Sequence, residues 1–119
     1  MNKKLKSAIL KEFENGRLAF KKKDYRQAFF CFERSHVLGQ LSPFYHTLSH
    51  LWMLRVGFKE RNVKEIIGQV FRIPSGFLGS IIGVVPTGNT GGSNVSPFKK
   101  MPIDSELQKI IDNSREAIK

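Results

Sequence analysis

"FKKKDYRQAF" (residues 20–29) and "FKERNVKEII" (residues 58–67) are two versions of one pattern, 38 positions apart. Phe20 matches Phe58 and Lys21 matches Lys59. Asp24 and Asn62 fall at the same place, with Gln27 and Glu65 three residues further on. Asp or Asn followed at that spacing by Gln or Glu is the signature of a capping box, which opens a helix. The basic residues just before each cap suit the negative end of a preceding helix. The chain therefore reads as helix, short basic turn, capped helix, written twice.

Working outward from this repeat, Ile9, Phe13, Gly16 and Phe20 recur at spacings of four, three and four. That is one face of a helix running from about Lys4 to Lys22. A second helix follows Asp24 to about Leu38, with Ala28, Phe29, Phe32 and Ser35 inward and Gly39 as its C′ stop. Ser42 and Pro43 supply an N-cap and an N1 proline for a third helix to about Phe58. A fourth opens at Asn62 and is expected to end at Pro74. Beyond it the chain turns rich in Gly, Pro, Ser and Asn. Residues 76–85 read as either a short helix or a buried extended run, and "GNTGGSN" as turns. A last helix is expected from Ser105 to Ile118, opened by Asp104 or Ser105, with Leu107, Ile110 and Ile111 on its apolar face.

The resulting expectation is an all-α fold in a single domain over residues 1–119. Two antiparallel helical hairpins occupy residues 1–74, a Gly/Pro-rich segment (75–103) packs over them, and a C-terminal helix (104–119) closes the chain. A length of 119 residues supports one modest core. The period of the helical pairs is similar to that of tetratricopeptide repeats, although two repeats are fewer than such arrays use.

Several strings together resemble a known family: "ERSHVLGQ", "HLWMLRVGF", "FRIP…LGSIIG" and "VPTGNTGGSNVSPF…MPI". They are similar to a bacterial family catalogued as domain of unknown function 3703, over about Ala8 to Asp112. The resemblance implies a small bacterial protein and transfers no activity, so function must come from the residues.

Twenty basic and ten acidic residues give a formal net charge of +10. Such a field suits an acidic protein partner, with nucleic acid a less favoured one. The basic residues flanking the two caps, Lys21, Lys22, Lys23 and Arg26 with Arg55, Lys59 and Arg61, would form the rim that such a partner meets. Cys31 is the only cysteine, which excludes an intramolecular disulfide and fits a reducing compartment. The N-terminus has no long apolar stretch, and no window reaches the roughly 18 apolar residues of a membrane span. A cytoplasmic protein with no membrane contact is expected, in an oligomeric state the sequence leaves open.

All three histidines, His36, His46 and His50, fall in "SHVLGQLSPFYHTLSHLW" (residues 35–52). His46 and His50 are four apart on the third helix, so they share a face. Glu33 and His36 are three apart on the second. A short turn makes these helices antiparallel, which pairs His36 with His46 and Glu33 with His50 by level. Imidazole nitrogens with a carboxylate oxygen suit one divalent ion, zinc first, with iron, nickel or copper as alternatives. Glu33 is the expected fourth ligand, and Cys31 or Met53 would add a soft ligand favouring copper(I). A metal-free polar network of the same residues is the competing reading.

The loop Gly88, Asn89, Thr90, Gly91, Gly92 reads as turn chemistry, or as an anion cradle or loop ligand that covers the histidines. It lacks the order of a P-loop. No Ser–His–Asp arrangement stands out, which leaves a metal-bound water as the route to any enzymatic activity. Two functions follow: a small metal-binding protein for sensing, handling or structure, or a tetratricopeptide-like interaction module with a basic surface.

Overall fold

The computed structural model describes residues 1–116, which are all-helical with no strand among them. The helices are α1 (Lys3–Lys21), α2 (Tyr25–Gly39), α3 (Pro43–Lys59), α4 (Val63–Ile82) and α5 (Ser105–Glu116). α1 packs on α2, α3 on α4 and α2 on α3, while α5 lies against α1 and α2. The two hairpins are those the repeat implied, and the closing helix starts where its cap placed it. The expected last residues of α5, Ala117 and Ile118, lie outside the described residues.

The repeat extends to individual hydrogen bonds. Asp24 N–H donates to the Ala19 carbonyl and Lys23 N–H to that of Phe20; Asn62 donates to Gly57 and Arg61 to Phe58 in the same way. Each pair of bonds is a Schellman ending, with Lys23 (φ 65°) and Arg61 (φ 53°) in the left-handed position usually given to Gly. Asp24 then accepts from Gln27 N–H and Asn62 from Glu65 N–H, so one residue closes one helix and caps the next.

The core lies between α1, α2, α3 and α5 and includes Ile9, Phe13, Phe32, Met53, Val56 and Leu107. Phe32 stacks on Trp52 at 5.1 Å between centroids and lies directly over Gly16, where any Cβ would collide with its ring. Arg34 ties three helices together, reaching Glu12 at 2.9 Å and Glu106 at 3.1 Å.

Two expectations are corrected. Gly39 is the last residue of α2 rather than a left-handed stop; its bare Cα admits Tyr45, whose Cβ would lie 3.0 Å from an added methyl. Pro74 does not end the fourth helix, and residues 76–82 continue it to Gly83, which takes φ 75°. Proline removes one bond, to the carbonyl four residues back. Here Pro74 lies on the solvent side, where water can satisfy the freed carbonyl.

α4 is also turned inside out. Its buried side chains are Glu65, Gln69, Arg72 and Ser80, a polar stripe spaced four, three and eight apart. Its outer face carries Val63, Ile67, Val70, Phe71, Leu78 and Ile82, all at least half exposed. The polar stripe faces the three histidines.

Candidate metal centre

His36 lies in the last turn of α2, and His46 and His50 lie one turn apart on α3. The antiparallel packing of these helices brings the three rings together, with centroids 4.6, 4.6 and 4.9 Å apart. All three are buried, at 2 to 3% exposure. Each offers one nitrogen to a group in which all the candidate ligand atoms lie within 4.8 Å of one another. His46 Nε2 is 2.9 Å from His36 Nε2.

The outer nitrogens decide what the inner ones are. His36 Nδ1 meets the Asn89 carbonyl at 2.8 Å, and a carbonyl can only accept. His50 Nδ1 meets Gln69 Oε1 at 2.6 Å, and the Gln69 amide is oriented because its nitrogen donates to Glu65 and to the Gly91 carbonyl. His46 Nδ1 meets Ser80 Oγ at 2.5 Å, whose own proton goes to the Gln40 carbonyl. Every Nδ1 therefore carries the proton, and every Nε2 is a bare lone pair. In metal sites, outer hydrogen bonds of this kind orient the ligating imidazoles.

Electrostatics agree. Burial lowers His46 to about 4 and His50 to about 3, with the His46 charge adding to the effect at His50. His36 is pushed well below its usual value, first by burial and then by His50 and His46. Near neutral pH all three are uncharged, the form that ligates. Two glycines keep the space clear. A methyl on Gly76 would lie 3.1 Å from His46 Nε2 and 3.2 Å from His50 Nε2, and one on Gly91 would press on the His36 ring. A cavity of about 90 Å³ opens over the rings, lined also by Arg72, Ser75 and Phe98.

The structure brings the three histidines together but not the other expected ligands. Glu33 lines a separate cavity with Thr90, and burial pushes it up to about 7. Both His46 and His50 pair with His36 instead. Cys31 lines a different cavity, with Glu12 and Arg34, and accepts a weak bond from Gln27. Met53 is buried, and its sulfur meets the Gln69 amide at 3.4 Å.

The loop does fold over the histidines, using carbonyls rather than N–H groups. The Asn89 and Gly91 carbonyls face His36 and Gln69. The N–H groups of Gly88, Asn89 and Gly91 are bonded within the fold, to Gln40 Oε1, the Pro86 carbonyl and Asn89 Oδ1. These three donors are therefore already occupied and are not offered to an anion. Thr90 lies beside Glu33, and Gly92 is buried against Phe29.

Of the basic rim, Lys21, Lys23 and Lys59 line one depression with Phe20, Tyr25 and Trp52, and Arg55 stacks over Trp52 at 4.6 Å. Lys22, Arg26 and Arg61 are exposed nearby in sequence.

Sequence reasoning missed Gln69, Ser80, Glu65, Arg72 and Gly76. Their signal was present: polar or small residues at helical spacing on one side of an otherwise apolar segment.

The family model described as "Protein of unknown function (DUF3703)" matches residues 3–111. The chain belongs to this family. No curated protein and no solved structure gave a match to the DUF3703 chain. No helix among its described residues is long and apolar enough to cross a membrane.

Proposed function

We propose that the chain binds one divalent metal ion through Nε2 of His36, His46 and His50, and acts as a small metal-handling or metal-responsive protein. The observation that carries this reading is the set of hydrogen bonds at the three Nδ1 atoms, from which the tautomer follows. Three Nδ1 protons point outward to acceptors, so three lone pairs converge with no proton between them. Such an array is repulsive when empty and becomes favourable around a cation. Zinc sits about 2.0–2.1 Å from imidazole nitrogen, which puts tetrahedral ligands roughly 3.3 Å apart. The 2.9 Å His36–His46 separation is close enough that small ring movements suffice. Neutral nitrogen donors favour zinc, with iron, nickel or copper as alternatives. Glu33 is not assigned as a ligand, so the remaining coordination positions face the cavity.

Titrating metal-stripped, untagged protein with zinc tests this. One equivalent should bind, and H46A or H50A should abolish it. An unchanged stoichiometry in both variants would refute the assignment.

A second reading draws on the depression at the two basic turns. Four cations (Arg17, Lys21, Lys23, Lys59) and three aromatic rings line it, and no carboxylate does. An acidic peptide of a partner protein fits that chemistry, as expected of an interaction module. Binding that weakens with salt and with K21E/K59E would support it.

A further inference from the structure

Arg72 is a buried cation without a counterion. It is 7% exposed and lines the cavity over the three histidines. Nη2 donates to the Val95 carbonyl at 2.7 Å, while Nε is buried with no acceptor. Among the described residues no carboxylate stands within ion-pair distance of it. Glu65, whose charge acts on Arg72, has its oxygens bonded to Ser93 and Gln69. Burying a guanidinium this way is costly unless something negative joins it.

We propose that the cavity takes a small oxyanion, of carbonate or short-carboxylate size, with one oxygen on the metal and another on Arg72. The proposal rests on the metal reading above and names the ligand of that same site. Three neutral imidazoles leave a divalent ion's charge uncompensated, and Arg72 adds a further positive charge. Among the described residues, Glu65 is the carboxylate whose charge acts on Arg72, and its oxygens are engaged by Gln69 and Ser93. An anion held between metal and guanidinium balances the charge and gives the buried donors an acceptor. Size narrows the class. About 90 Å³ is room for roughly three waters or a handful of heavy atoms. Val84, Pro86, Pro97 and Phe98 line its apolar side.

Cobalt(II) loaded into untagged protein reports coordination through its visible spectrum. Bicarbonate and acetate should each shift that spectrum saturably. R72M should keep about one cobalt per chain and weaken oxyanion binding at least about tenfold; R72K, which keeps the charge but not the planar fork, should fall between and serves if R72M does not fold. Cobalt uptake with a spectrum indifferent to both anions, or an equal response in the Arg72 variants, overturns the oxyanion site alone. Failure to take up cobalt overturns the metal reading with it.

A second inference rests on the outer face of α4. Eight large apolar side chains between Val63 and Ile82, among them Ile67, Phe71 and Leu78, are 43 to 69% exposed. By helical spacing they share one face. At on the order of 100 Å² each they form a patch well beyond the few hundred Å² usual on a monomer. They match the roughly 800 Å² per partner of a stable interface. We infer that this face packs against α4 of a second copy, antiparallel about a twofold axis. Charge is consistent with that pairing. The charged side chains of α4 itself are Lys64, near its start, and the inward Glu65 and Arg72, so no row of cations lines the face to meet lipid phosphates. In an antiparallel pair the basic starts lie about 30 Å apart, several Debye lengths at physiological salt. Sedimentation equilibrium of untagged protein should give a two-chain mass at micromolar concentration. I67E/L78E should give one chain with metal stoichiometry unchanged. A wild-type single chain throughout that range overturns the dimer, as does a monomer that floats with phosphatidylcholine–phosphatidylserine vesicles.

Discussion

His36 Nε2 and His46 Nε2 stand 2.9 Å apart, and the partners of both rings place their protons on the opposite nitrogens. In a metal-free core, two imidazoles at that distance would be expected to share a proton. Here Asn89 and Ser80 hold the protons outward, so the proposed cation would meet two lone pairs.

Gln69 links the histidines to the loop, accepting from His50 and donating to Glu65 and the Gly91 carbonyl. Q69L removes all three bonds at a fully buried position. It should cost about 2–3 kcal/mol in urea unfolding and weaken metal binding roughly 10- to 100-fold. An affinity equal to wild type would mean that His50 does not need its orienting partner.

Gly76 separates metal binding from folding. Alanine raises helix propensity by about 1 kcal/mol, which offsets the contacts at 3.1 and 3.2 Å with the two ring nitrogens. G76A should therefore melt within a few degrees of wild type without metal, yet bind zinc at least about tenfold more weakly. Equal affinity would place the ion elsewhere.

Metal-free protein should lose stability as pH falls below about 6.5. Unfolded histidines take up protons there, whereas His46 waits until about 4 and His50 until about 3. The unfolded chain then binds more protons, so each histidine contributes a slope of up to about 1.4 kcal/mol per pH unit. Urea unfolding between about pH 5 and 6.5 reads this. A flat profile in E33Q, where the opposing carboxylate is gone, would contradict it.

Glu33 works in the other direction. Its unfolded value is near 4.5 and its folded value about 7, so the folded chain holds the extra proton and stability falls as pH rises through that window. E33Q stays neutral and should be more stable than wild type above pH 7, by roughly 1–2 kcal/mol after allowing for its partial exposure. Its zinc affinity should stay within about threefold of wild type. A large loss of affinity would restore Glu33 as a ligand.

The hairpins were legible because capping and turn chemistry are local: Asp24, Asn62, Ser42 and Pro43 mark helix starts wherever the core lies. His36 facing His46 followed from the short turn between their helices. Glu33 was misplaced because three residues along a helix still leave about a 60° rotation. It lies instead beside Thr90, from a loop 57 positions away. Pro74 was read as a stop because the rule against helical proline assumes a carbonyl that cannot reach water. The polar stripe of α4 went unread because an apolar helix is ordinarily placed with its apolar face inward; here three imidazoles on the neighbouring helices reverse that.

Metal content of untagged protein, measured by mass spectrometry, decides whether the three converging lone pairs hold a metal. About one equivalent of zinc or a related divalent ion per chain is expected after purification or reconstitution, lost in H46A and H50A. Less than about a tenth of an equivalent, with no uptake on titration, would contradict it.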